Sequence, residues 1–223
     1  MSLESRKNNT MDDPGADLLD RARSMWDQYS RIVLGVVVGL AVVGISAYYV
    51  TTGAARKENA ASERLTQASD LFWRADYDRS RQIAKDLIKQ YPDTPSGVDA
   101  LRIAADDAYW RGNWKDAITD YEAYLKKHGS GLMANTVRRS LGYSQESMGQ
   151  FGAAATNFEQ VVGQIDRETS GEMLFAAARC YAADKKPDES KKRLQRIVDE
   201  FPDTSFQMQA RVELGKLAPA YAN

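Results

Sequence analysis

The chain has 223 residues, enough for one or two domains, one of them large enough to bury a real core. Its 30 basic and 31 acidic residues nearly cancel, so no global field draws it towards nucleic acid or another polyanion. Cys180 is the only cysteine and His128 the only histidine, which excludes a disulfide framework within the chain and any Cys/His metal cluster.

Residues 1–15 are polar, with Asn8-Asn9-Thr10 and Asp12-Asp13-Pro14-Gly15 lacking any apolar period, and they read as a disordered tail. Over 16–31, Leu18, Leu19, Ala22, Met25, Trp26 and Tyr29 recur at helical spacing, predicting a short amphipathic helix that lies at a membrane interface. Every residue from Ile32 to Ala55 is uncharged, and Arg31 and Arg56-Lys57 bound the run. At about 1.5 Å per residue, Tyr29 to Tyr48 covers roughly 28 Å, close to the ~30 Å of bilayer hydrocarbon. Trp26 and Tyr29 then mark one interface, Tyr48 and Tyr49 the other.

A cleaved signal peptide competes with this transmembrane reading of 32–55, because Ala54-Ala55 mimics a cleavage site. The apolar run is longer than a signal's, and a mixed-charge leader precedes it, so the anchor is the better reading. Gly35 and Gly39 form a GxxxG pair, read either as a homodimer contact or as glycine that a membrane helix simply tolerates. Arg21, Arg23 and Arg31 before the run balance Arg56, Lys57 and Arg64 after it; only Arg6 and Lys7 tip the amino terminus towards the cytoplasm.

Beyond residue 60 the chain repeats. Ser80, Ala117, Ala154 and Ser190 fall at equivalent places in four stretches, each opening a second helix after a tight turn such as Arg111-Gly112-Asn113 or Gly149-Gln150. First helices carry small apolar residues at helical spacing, as in Leu101, Ala104, Ala105, Ala108 and in Leu174, Ala177, Ala178, Tyr181. One such helix pair cannot bury its apolar face alone, whereas three or more stack into a superhelix with a concave and a convex side. Phe206 to Leu217 reads as a capping helix, and 219–223 as a short tail.

The small residue, the aromatic four on, the Leu141-Gly142 pair and the unit ends Tyr91-Pro92-Asp93-Thr94 and Phe201-Pro202-Asp203-Thr204 resemble the tetratricopeptide repeat over about 60–218. Periods above the usual 34 and the missing early tryptophan depart from the family pattern. The fold implied is all-α: one amino-terminal transmembrane helix, then a TPR-like solenoid of about four helix pairs with a cap. A short leading tail, one span and trailing repeats further resemble the YfgM-type ancillary subunits of the SecYEG translocon, whose repeat domain is shared with CpoB, the cell-division coordinator. That resemblance implies a bacterial inner-membrane protein, amino terminus cytoplasmic and solenoid periplasmic, which meets the translocon and periplasmic chaperones. A cytoplasm-facing adaptor and a structural subunit of an envelope complex remain the alternatives.

In tetratricopeptide arrays the concave groove is lined by exposed positions of the first helices. Carried over, these are Arg102, Asp106 and Tyr109, then Arg139 and Tyr143, then Phe175 and Arg179. Arginine pairs carboxylates and aromatic rings supply contact area, which suits an extended polypeptide; an ordinary solvated face with ion pairs such as Arg102–Asp106 fits the same residues. No catalytic, cofactor or metal site emerges. Cys180 sits among Ala176, Ala177, Ala178 and Tyr181 as a core filler, His128 suits a helix C-terminus, and Gly129-Ser130-Gly131 lacks a phosphate loop's lysine. The reading is a non-enzymatic scaffold whose partners are polypeptides and, through 32–55, membrane lipid.

Overall fold

The computed structural model describes residues 14–217, and every regular element among them is a helix. They are α1 (Pro14–Trp73), α2 (Tyr77–Gln90), α3 (Pro95–Trp110), α4 (Trp114–Lys127), α5 (Leu132–Ser147), α6 (Phe151–Val161), α7 (Arg167–Ala183), α8 (Pro187–Glu200) and α9 (Phe206–Leu217). Internal contacts divide the chain into two units, Met1–Ala55 and Arg56–Asn223.

Of the tail predicted over 1–15, positions 1–13 lie outside the described residues, as does the tail 219–223. Pro14 and Gly15 instead open α1; proline suits a first helical turn because its missing N–H has no partner there anyway. The amphipathic helix, the apolar run and the start of the repeats, expected as successive segments, belong to one assigned helix.

In the first unit the apolar residues bury against nothing. Leu34, Leu40, Val43 and Val50 are all exposed, and α1 is long and apolar enough to cross a membrane. At the end of the run the polar groups are satisfied within the helix: the Thr51 hydroxyl donates to the Ala47 carbonyl at 2.9 Å and that of Thr52 to Tyr48 at 2.7 Å.

In the second unit, the carboxyl-terminal part of α1 pairs with α2, α3 with α4, α5 with α6 and α7 with α8, while α9 covers the last pair. Alanine makes the close approach possible. Ala61 and Ala68 of α1 meet Ala84 and Leu87 of α2 and Ala100, Ile103 and Ala104 of α3, all buried. Tyr121, Phe158 and Leu194 fill the corresponding spaces further along. Phe158 packs against Gly142, where a Cβ would come within 2.6 Å of the ring.

The four turns within pairs share one geometry. Ala75, Gly112, Gly149 and Lys185 all take positive φ, between 58° and 72°. The next amide in each reaches back over the helix end: Asp76 to Leu71, Asn113 to Ala108, Gln150 to Gln145 and Lys186 to Tyr181, at 2.8–2.9 Å. This is the Schellman closure, which occupies carbonyls that the ending helix leaves free.

Unit ends repeat too. Thr94 caps α3 by accepting from the Gly97 amide at 3.0 Å, and Glu58 receives the Ser96 hydroxyl at 2.6 Å. Glu168 does the same for Ser205 at the far end of the stack, bonding both its amide and its hydroxyl.

Candidate functional site

The seven residues expected in the groove stand on α3, α5 and α7, and all are half-buried except Arg179, which is exposed. None of the three arginines is free. Arg102 pairs with Asp106 on its own helix at 2.9 Å, and the Asp106 carboxylate also accepts the Tyr121 hydroxyl at 2.7 Å. Burial raises the Asp106 pKa, while the Tyr121 bond and the Arg102 charge oppose the rise.

Arg139 and Tyr143 of α5 both reach Glu172 of α7, the guanidinium at 2.7 Å and the hydroxyl at 2.5 Å. The Tyr143 hydroxyl is pushed above its ordinary range by burial and by that carboxylate. Arg179 of α7 answers with a two-pronged bond to Glu146 of α5, at 2.6 and 2.8 Å. The two pairs run in opposite charge sense between the same helices. Burial raises the pKa of Tyr109, next in the row on α3, with Arg139 opposing the rise and Glu146 adding to it.

The expectation of arginines waiting for a ligand carboxylate therefore takes a different form: the chain supplies the carboxylates itself. Glu146, Glu172 and Tyr121 complete the row; sequence marks Tyr121 as the aromatic four on from Ala117 but places none of the three in the groove. Their signal is present all the same. Arg139 to Glu172 and Glu146 to Arg179 share one separation, 33 residues, about one helical turn short of the repeat.

Phe175 and Arg179 come together at the end of the row. With Ala182, Leu194, Lys216 and Leu217 they line a mostly apolar crevice of about 320 Å³ between α7, α8 and α9, and Phe175 tilts against Phe206 at 5.9 Å.

Elsewhere the residues offer little chemistry. Burial pushes the Cys180 thiol up to about 12, which removes the thiolate needed of a nucleophile. His128 caps the end of α4 and stacks on Tyr124 at 5.9 Å. Among the described residues no group of three His, Cys, Asp or Glu side chains is placed to hold a metal ion.

The tetratricopeptide repeat family matches residues 65–94 and 172–204, which lie in the first and fourth helix pairs. No curated protein matches the chain. Solved structures do: a tetratricopeptide repeat protein from Parabacteroides merdae shares 13% identity at a TM-score of 0.60, covering 71% of this chain and 60% of its own length. MamA AMB-1 aligns at 15% identity and TM-score 0.55 over 78% of this chain and 97% of that one. TPR-like repeats of a Podosopora anserina kinesin light chain align at 16% and 0.55, over 70% and 83%. At such identities the likeness is one of fold: the second unit is a tetratricopeptide-like solenoid.

Proposed function

We propose that this protein is a membrane-anchored, non-catalytic scaffold whose solenoid binds polypeptides outside the cytoplasm, along the row from Arg102 to Arg179. One observation carries the anchor: an apolar run of spanning length lies exposed on α1, whereas α2 to α8 each bury apolar residues in the cores of the repeats. The repeats supply the scaffold, since tetratricopeptide arrays present extended surfaces to other chains.

The periplasmic placement rests on the slight basic excess of Arg6 and Lys7 and on the resemblance to YfgM-type subunits. It makes the SecYEG translocon and periplasmic chaperones the first partners to test. The same arrangement leaves Gly35 and Gly39 open on α1, with nothing within 4 Å of the point where a Cβ would stand at either, as a helix dimer requires.

A periplasm-active reporter fused after Asn223, combined with crosslinking of the membrane-embedded chain, tests the reading. Reporter activity with recovery of translocon or chaperone subunits is the expected result. Activity of a cytoplasm-only reporter sinks the orientation and leaves a cytoplasmic adaptor. A mature chain that begins after Ala55 and is released from the membrane makes 32–55 a signal instead.

A further inference from the structure

Asp107 occupies the place in α3 that Ser144 holds in α5 and Cys180 in α7, one repeat apart each time. All three are fully enclosed, at 0%, 0% and 1% exposure. Serine and cysteine suit such a site: Ser144 settles its hydroxyl on the Ser140 carbonyl at 2.9 Å, and the Cys180 thiol is nearly apolar. An acid does not. Among the described residues neither oxygen of Asp107 makes a hydrogen bond of good geometry, and the one neutral donor near it is the Ser80 hydroxyl, itself buried and bonded to nothing else.

The cations nearby are already committed. Arg81 of α2 bonds the Ala104 carbonyl of α3 and pairs with Asp116 at 2.9 Å and Asp120 at 3.0 Å, both on α4. Arg111, in the turn after α3, pairs with Asp78 of α2 at 2.5 Å. The neighbouring Asp106 adds a like charge. Asp107 thus faces Ser80 and Arg81 from α2, Asp106 from its own helix and Arg111 from the turn, while Asp116 and Asp120 hold Arg81 from α4.

We propose that Asp107 is a proton-operated latch between the first two repeats: its neutral carboxyl lets α2 and α3 pack, and its ionisation loosens them. A buried carboxylate with only one hydroxyl beside it and no cation of its own is costly, so packing favours the protonated form. Burial pushes the Asp107 pKa up to about 7, with Ser80, Arg81 and Arg111 only partly opposing it and Asp106 adding to it.

The direction of the pH effect follows from linkage. In the unfolded chain the group titrates at its ordinary 3.8, and in the folded chain near 7. Between those values the folded state holds a proton that the unfolded state lacks, so stability falls as pH rises through this window and levels off above it. Because Asp107 sits at the α2–α3 contact, the loss appears first as local opening of these helices.

The test compares the full chain in detergent with Asp107→Asn and Asp107→Ser, the latter installing the residue of the third pair. Melting and amide hydrogen exchange are followed from pH 5 to pH 8, with exchange corrected for its intrinsic pH dependence. The wild type should lose melting temperature across the window, and its α2 and α3 amides should open at least ~10-fold more often at the upper end. Both variants should flatten the two responses. Should either variant keep the wild-type pH slope, or should wild-type α2 and α3 protection stay level from pH 5 to pH 8, the latch is overturned. The exchange measurement on wild type stands even where a variant folds poorly.

Discussion

Four turns need one left-handed residue, and the chain meets that need unevenly. Gly112 and Gly149 adopt positive φ freely, but Ala75 and Lys185 carry a Cβ in the same conformation. Replacing Ala75 by glycine should therefore stabilise the repeat unit by about 0.5–1 kcal/mol, because relief of the Cβ clash exceeds the added entropy of the unfolded chain. A melting temperature that fails to rise would mean the Ala75 turn is not strained. The opposite sign is expected at Gly97, where an added Cβ would stand 1.8 Å from the Tyr91 carbonyl oxygen, a backbone atom that cannot swing aside. Gly97→Ala should cost about 3 kcal/mol or more in denaturant unfolding; Gly142→Ala, which meets the Phe158 side chain and not backbone, should cost less. At this scale sequence is a partial guide. The glycines of two turns stand out in the chain, whereas Ala75 and Lys185 show their role only by position in the repeat, and nothing local marks Asp107 as enclosed.

Between α5 and α7 the charges form a reciprocal pair of bonds, Arg139 to Glu172 and Glu146 to Arg179. The arginine side chains are 41% and 50% exposed, so solvent screens both pairs, and a double-mutant cycle on either should give a coupling of roughly 0.5–1 kcal/mol. Truncating the arginines alone is a poor probe of binding. It leaves Glu146, only 19% exposed, without its arginine and Glu172, 23% exposed, with the Tyr143 hydroxyl alone, and lowers stability for reasons unrelated to recognition. Exchanging the pair, as Glu146→Arg with Arg179→Glu, keeps the bond and reverses the charges the row presents. Melting should return close to wild type while polypeptide capture weakens; unchanged capture would move recognition away from this row, to the apolar crevice beside Phe175 or to the apolar run of α1. The helices themselves were legible from alanine and aromatic spacing. Their charge partners were not, because a single-helix view reveals neighbours three and four residues apart and misses those a repeat away.

The two units differ in where their apolar residues lie. The repeats enclose Ala61, Tyr121, Phe158 and Ile197 completely or nearly so, while every residue of 32–50 is exposed. Sequence announced this contrast clearly, since a long uncharged run and a repeat with small residues at fixed places are both long-range patterns that survive local ambiguity. The join is less sharply marked: α1 runs on through Arg56-Lys57, and the second unit, expected from about residue 60, is counted from Arg56 by its internal contacts. Removing 1–55 should accordingly yield a soluble, strongly helical fragment with one cooperative melt, because its cores are built from residues of Arg56 onward. A cut placed after Trp73 should behave differently. It deletes Ala61, Leu65 and Ala68, exposing Ala84, Leu87 and Ala104 on the first face of the stack, and should give a fragment that melts lower and exchanges its α2 amides fastest. Circular dichroism and hydrogen exchange on the two fragments distinguish these outcomes. Equal stability would show that the carboxyl-terminal part of α1 serves only to connect the units, and that the solenoid begins at α2.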